Sequence, residues 1–450
     1  MGFTMIEVCA VLLLITIMIW LLLPAVQAAR EMARRTSCAN NLTQVALGVR
    51  AYQSSFGHFP VQMHGTDGSI KPGEDNNQRL SFLVGILPYV GQPELYEMID
   101  KPLDRSWRNT SSYGMGYYGD DYDDIYLSEE ELLEYESELE MSMTAESSDA
   151  IGNDDDSEET VNKDGMWPRG GPEPFDRDYL PWNMLPPVYR CPSDPGIGSP
   201  AMGRTNYVAC LGDALLAGDT GPYKEVNGLF VIDAERAKQT AAAMRGAFVP
   251  RVATSDADVK DGISHTILLG EIATDLGDQD IRTTPIPGPE GEQLRDNPNW
   301  VRLQPQEAFT AAFYIDPERP MFWGDAATSS NLATNPGQRR GHRWADGAPL
   351  YTAFNTILPP NREIVLYRDR DDAWGVLGAS SRHQGGAHVA LVDGSVRFVG
   401  DNIDSGDTTL PSVYDGSESK PGSESPYGVW GALGTRDANE LSANSFEKWQ

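Results

Sequence analysis

The stretch Gly2-Phe-Thr-Met-Ile-Glu-Val-Cys-Ala-Val-Leu-Leu-Leu-Ile-Thr-Ile-Met-Ile-Trp-Leu-Leu-Leu-Pro-Ala-Val26 decides how this chain is organised. From Phe3 to Val26 it is apolar apart from Glu7, two threonines and Cys9, and 24 residues at 1.5 Å each give roughly 36 Å of helix, enough to cross a bilayer. A secretory signal peptide would have a basic amino-terminal region, a shorter apolar core and a small-residue cleavage site; Met1-Gly2 supplies no base. Pro24 removes one backbone donor and is expected to kink the helix there.

Downstream, the helical text continues through Gln27 to Arg35 and on to Tyr52. Leu42, Val45, Ala46 and Val49 fall at i, i+3, i+4 and i+7, the spacing of a helix with one face against a core. One stem helix over 3–53 follows, its first half (3–26) transmembrane and its second half in protein.

Glu7 is the informative residue within the apolar run. A carboxylate in hydrocarbon costs about 2.5–3.5 kcal/mol, so it needs a partner or a place in the headgroup region. The string Gly2-Phe3-Thr4-Met5-Ile6-Glu7-Val8, followed by the apolar helix and Pro24, resembles the type IV prepilin processing motif. That resemblance implies a two-residue leader (1–2), cleavage after Gly2 by a prepilin peptidase, N-methylation of Phe3, and pairing of Glu7 with the terminal amine of a neighbouring subunit. Such a pair would cancel two charges that neither subunit buries alone, coupling burial to assembly. Arg30, Arg34 and Arg35 follow the span, and the positive-inside rule would keep them cytoplasmic. The resemblance implies the reverse, a head outside the cytoplasm.

Composition bounds the remainder. The chain has 450 residues and a net charge of −31, which excludes a nucleic-acid partner held through its phosphates. Gly 44 and Pro 31 point to turns and strands rather than a helical bundle. Between Gly119 and Asp164 there are 19 Asp or Glu against one Lys, so an acidic, disordered insert is expected over 119–170, dividing the head into 54–118 and 171–435. No loop in it has the twelve-residue calcium spacing. Residues 436–450 read as a tail.

Arg79 to Val90 reads as a short buried helix, followed by a small one over Pro93 to Asp100. From Tyr189 onward the text reads as strands and turns. Val188-Tyr-Arg-Cys-Pro-Ser-Asp-Pro195 reads as a strand end into a turn. Thr205 to Gly212 and Asn227 to Ile232 read as buried strands, and Asp261 to Glu271 as a turn running into a third. Ala387 to Val392 and Ser395 to Val399 flank Asp393-Gly394, which predicts a hairpin with a two-residue type I′ turn. The fold class is therefore α+β, a pilin-like stem helix packed on an antiparallel β-rich head.

A second resemblance is carried by Cys38-Ala-Asn-Asn-Leu-Thr-Gln-Val-Ala-Leu, Tyr189-Arg-Cys-Pro-Ser-Asp, Thr205-Asn-Tyr-Val, Asp261-Gly-Ile-Ser-His-Thr-Ile-Leu-Leu-Gly-Glu, His383 with Asp393-Gly394 ten residues on, and Ser425 to Thr435. Together they resemble the domain-of-unknown-function 1559 family, with its prepilin-type amino terminus and H-x9-D-G motif over 383–399. It implies an exported, membrane-anchored pseudopilin-like protein, and no reaction. Cys38 and Cys191 occupy family positions, where a bridge would clamp stem to head; Cys191 with Cys210 is the rival, and free buried thiols are the third possibility.

Chemistry-bearing constellations are sparse. His383, His388 and Asp393 are the local set with metal-ligand types, but zinc needs three or four groups converging, and residues five apart on a strand face opposite ways. No metal or other cofactor is expected, and His383 reads as a hydrogen-bonded structural residue. No G-x-S-x-G occurs, and Ser264-His265 cannot pair directly on a strand, so no enzyme is expected. The reading is a pseudopilin-like subunit of the inner membrane with its head in the periplasm or beyond. Its expected partners are the peptidase, inner-membrane lipid, and copies of itself or other pseudopilins of a type IV pilus or type II secretion system. A solitary tethered receptor for a carbohydrate, peptide or surface polymer is the alternative.

Overall fold

A computed structural model describes residues 5–66, 75–107, 165–227, 229–289, 292–303 and 314–438. Helix α1 runs from Met5 to Phe56, 52 residues without interruption and with Pro24 inside it. Its two halves live in different surroundings. Leu12, Leu13, Ile17, Trp20 and Leu23 stand exposed, whereas Cys38, Leu42, Val45, Ala46 and Val49 have no accessible surface. The spacing argument holds, because those five positions return to one side of the helix every turn. Gly48 lies on that side, where a Cβ would come 2.6 Å from Val90 Cγ1; its absence lets the 3-10 turn Leu87–Val90 press against the stem. This turn follows the short helix Phe82–Ile86 and precedes the helix Pro93–Asp100, as the sequence predicts.

A five-stranded sheet takes the other side of the buried half. Its strands are β1 (Tyr207–Cys210), β2 (Ile267–Glu271), β3 (Ala353–Phe354), β4 (Gly386–Leu391) and β5 (Val396–Gly400), in the order β5-β4-β2-β1-β3. Pairing is antiparallel except that β1 and β3 run parallel, with Ala209 opposite Ala353. The sheet is thus mixed rather than antiparallel throughout. The side chains sort to two faces: Tyr207, Ala209, Leu269 and Ala390 join the stem's core, while Val208, Cys210, Ile267, Val389 and Leu391 pack with Trp430 and Leu433 of the helix Gly428–Gly434 on the opposite face. Alternation holds along β1 and β4, and in β2 a bulge at Leu268, between the pairs Ala390–Leu269 and Leu391–Ile267, shifts it. Being covered on both faces explains why β1, β2 and β4 read as nearly continuous apolar runs.

Several expectations are corrected. The β4–β5 hairpin forms, but its loop has three residues, Val392 to Gly394, with the Leu391 N–H bonded to Ser395 O at 2.8 Å and the Gly394 N–H to Leu391 O at 2.9 Å. Gly394 has φ +89° and Asp393 is not in the left-handed region, so this is a turn closed by a glycine bulge, not type I′. Leu229–Ile232 is not buried: it pairs with Tyr223–Val226 as an exposed ribbon away from the main sheet, Ile232 being 69% accessible. The segment around Val188 is a 3-10 turn, Pro187–Tyr189, because Pro186 and Pro187 withhold the donors a strand would need.

The acidic insert lies outside the described residues up to 164. Residues 165–170, grouped with it by sequence, belong to the head: Met166–Trp167 pairs with Leu103–Asp104, and buried Trp167 meets Tyr179 with ring centroids 5.6 Å apart. At the other end Arg436, counted with the tail, donates to Met244 O and Gly246 O.

Candidate functional site

Two regions combine the residues singled out by sequence: the apolar half of α1 and the junction where its other half enters the head. Gly2 and Phe3 lie outside the described residues. Glu7 lies in α1. None of the described side chains from Leu12 to Leu23 is buried against protein, and the helix is long and apolar enough to cross a membrane.

At the junction, Cys38 of α1 is bridged to Cys191, 153 positions later, with Cα atoms 4.7 Å apart. The rival pairing is not formed. Cys210 is a buried free thiol on β1, pushed up to about 12 by burial. Flanking contacts set the same geometry: Asn41 Nδ2 donates to Arg190 O at 2.8 Å, the Tyr207 hydroxyl donates to Cys38 O at 2.9 Å, and the Arg35 guanidinium sits 3.5 Å from the Phe398 ring centroid.

Beside the bridge lies a polar group that sequence reasoning did not assemble. The register of β2 against β4 places Val389 opposite Gly270, which brings His388 beside Glu271 on the stem-facing side. Glu271 Oε2 accepts from the His388 N–H at 3.1 Å and lies 2.9 Å from its Nδ1. His383, just before β4, spans the gap to the stem: Nδ1 is 3.0 Å from Glu31 Oε1, and Nε2 is 3.4 Å from Glu271 Oε1 and 3.5 Å from Cys191 Sγ. Glu271 Oε1 is buried, with the His383 ring at 3.4 Å as its long contact. Ligand-type atoms of Cys38, Cys191, Glu271 and His383 all lie within 4.8 Å of one another, so this is where a soft metal could be held if the sulfurs were free.

Electrostatics follow from the pairing. Burial alone would lower His383, but Glu271 and Glu31 outweigh it through hydrogen bonds and charge, raising it above the ordinary histidine value. Burial would raise Glu271, yet hydrogen bonds and charge from His383 and His388 hold it below the usual carboxylate range. The carboxylate at the end of the apolar run before Ile272 was the available signal, since a buried charge requires partners. Glu31 had one too: it stands two helical turns before Cys38, on the buried side's line.

His383 and Asp393, the two ends of the H-x9-D-G motif, do separate work. His383 docks the stem, whereas Asp393 Oδ1 accepts from Ser395 N–H at 2.8 Å and the Asp393 N–H donates to Ile263 O at 2.9 Å, shaping the hairpin loop.

The head also carries two open clefts. One of about 630 Å³ is lined by Arg204, Asp275, Arg339 and His342; burial and the nearby Arg204 charge push His342 down to about 3. The other, about 700 Å³, is lined by Asp219, Phe230, Arg251 and the stacked pair Tyr367 and Trp374, whose ring centroids are 4.3 Å apart.

No curated protein and no solved structure matches the chain. The profile of the family described as "Protein of unknown function (DUF1559)" matches residues 27–406, which takes in the buried half of α1, the Cys38–Cys191 bridge, the sheet and the histidine cluster. The chain belongs to the DUF1559 family.

Proposed function

We propose that this chain is a pseudopilin-like structural subunit, anchored by residues 3–26 in the inner membrane with its head outside the cytoplasm, and assembled into a pilus- or secretion-related filament after cleavage behind Gly2 and methylation of Phe3. The observation that carries this reading is the division of α1: one continuous helix whose described side chains from Leu12 to Leu23 are exposed and, apart from Thr16, apolar, and whose second half is the spine of the head core. Such a helix has two ways to cover its apolar half, lipid and the stems of other subunits. The bridge at Cys38 supports export, since disulfides persist in oxidising compartments, and it ties head to stem so that both move as one body.

Glu7 makes the exchange from lipid to filament favourable by pairing with a neighbour's amino terminus. Replacing it (Glu7→Ala) should leave membrane insertion intact and abolish recovery of the protein in sheared filaments. Wild-type recovery would defeat the proposal. The two clefts favour a second reading, a solitary tethered receptor, in which polar and aromatic linings such as Arg251, Tyr367 and Trp374 meet a carbohydrate, peptide or surface polymer. Cysteines placed at exposed Leu13 and Ile17 distinguish the two: oxidative crosslinking gives ladders for a filament and monomer for a receptor.

A further inference from the structure

We propose that Cys38, Cys191, Glu271 and His383 form a closed zinc site in the dithiol form of the chain, of which the disulfide is the oxidised alternative. In a tetrahedral site with bonds of roughly 2.1–2.3 Å, neighbouring ligand atoms stand roughly 3.4–3.8 Å apart. His383 Nε2 already lies 3.5 Å from Cys191 Sγ and 3.4 Å from Glu271 Oε1. Breaking the S–S bond lets the two sulfurs move apart to a tetrahedral edge, with four ligands of the types zinc takes around one point.

Two features go beyond proximity. Glu271 Oε1 is a buried carboxylate oxygen whose neighbour is the His383 ring nitrogen at the long distance of 3.4 Å, a contact that a cation at that point would replace with two bonds of its own. Both non-sulfur ligands are also oriented from behind. His383 Nδ1 faces Glu31 Oε1 at 3.0 Å, and Glu271 Oε2 is held by His388 through its backbone N–H and its ring. A carboxylate behind a histidine is the usual way proteins fix the ring tautomer of a metal ligand. All four ligands are at most a few per cent accessible, leaving no open position for water, so the site is of the structural kind.

The chemistry balances. A dithiol reductant gives two electrons and two protons to the Cys38–Cys191 bond and is itself converted to a disulfide; the two thiols release their protons as Zn²⁺ binds, and the metal takes the place of a proton on His383 Nε2. In the reverse direction a disulfide oxidant takes two electrons from the bound thiolates, the S–S bond forms and Zn²⁺ leaves. Either state fastens the stem to the head at the same point.

The test uses the full chain with Cys9→Ser, in detergent micelles, reduced with a phosphine and titrated with Co²⁺. The expected result is one equivalent bound, with the intense d–d bands of tetrahedral cobalt and thiolate charge-transfer absorption, displaced by zinc and absent from the oxidised chain. His383→Ala and Glu271→Gln should each weaken binding at least about tenfold, and Glu31→Gln by about tenfold through loss of the orienting carboxylate. Should the reduced metal-free chain lose its circular dichroism, stoichiometric zinc should restore it. The proposal is overturned by a folded reduced chain that binds no cobalt, by bands that survive Cys38→Ser or stay unchanged in both His383→Ala and Glu271→Gln, or by an unfolded reduced chain that zinc does not rescue.

Discussion

His383 Nδ1 lies 3.0 Å from Glu31 Oε1, joining the histidine of the carboxy-terminal motif to the stem helix across 352 positions of sequence. Glu31 is also paired with Arg34 at 2.8 Å and keeps 41% of its side chain in solvent, so screening limits what the contact adds. A double-mutant cycle with Glu31→Gln and His383→Asn should give a coupling of about 1 kcal/mol in urea unfolding. Additive single effects would mean that the two side chains touch without stabilising one another.

His383 and its buried neighbour Glu271 give stability a pH dependence of known sign. His383 is raised in the folded chain, so its contribution is complete below its unfolded value near 6.5 and is lost as pH rises through the higher folded value. Glu271 is lowered, so its contribution is complete above its unfolded value near 4.5 and fades as pH falls through the lower one. Unfolding midpoints should therefore decline as pH rises from about 6.5 through the folded His383 value, and His383→Asn should flatten that decline.

Division of the stem predicts opposite phenotypes for similar substitutions. Leu42→Ala removes a fully buried side chain from the head core and should cost about 2–5 kcal/mol of head stability. Leu13→Ala, 63% exposed, should change head unfolding by less than about 0.5 kcal/mol while reducing filament yield. Urea unfolding followed by tryptophan fluorescence, alongside a shearing assay, separates the two effects.

Much of this was legible in sequence where a local rule suffices. The buried line through Cys38, Leu42, Val45, Ala46 and Val49 follows from helical spacing, and the hairpin around Asp393-Gly394 from strand alternation. The rule failed where a neighbour decides. Asp-Gly reads equally as a two-residue turn or as the end of a three-residue loop, and the Ser395 carbonyl that accepts from Leu391 chooses between them. The ribbon Leu229–Ile232 carries four apolar residues yet stays exposed, because its one partner strand, Tyr223–Val226, covers an edge and neither face. The cluster of Glu31, Glu271, His383 and His388 was illegible for a related reason: its members come from the stem, from two paired strands and from the loop before one of them, and only the β2–β4 register assembles them.

Linking Cys38 to Cys191 closes a long loop, and removing the bridge by Cys191→Ser should lower stability by about 2–4 kcal/mol. Cys210→Ala, which breaks no bond, should cost less. A non-reducing peptide map should recover the peptides of Cys38 and Cys191 joined and that of Cys210 free.

The most direct test of the central claim is the intact mass and amino-terminal sequence of the protein extracted from native membranes. Assembly through a processed stem predicts a chain that begins at N-methylated Phe3, with its new amine placed to meet Glu7 of a neighbour. A chain that retains residues before Phe3 would contradict the account, leaving a permanent tether and moving the receptor reading to first place.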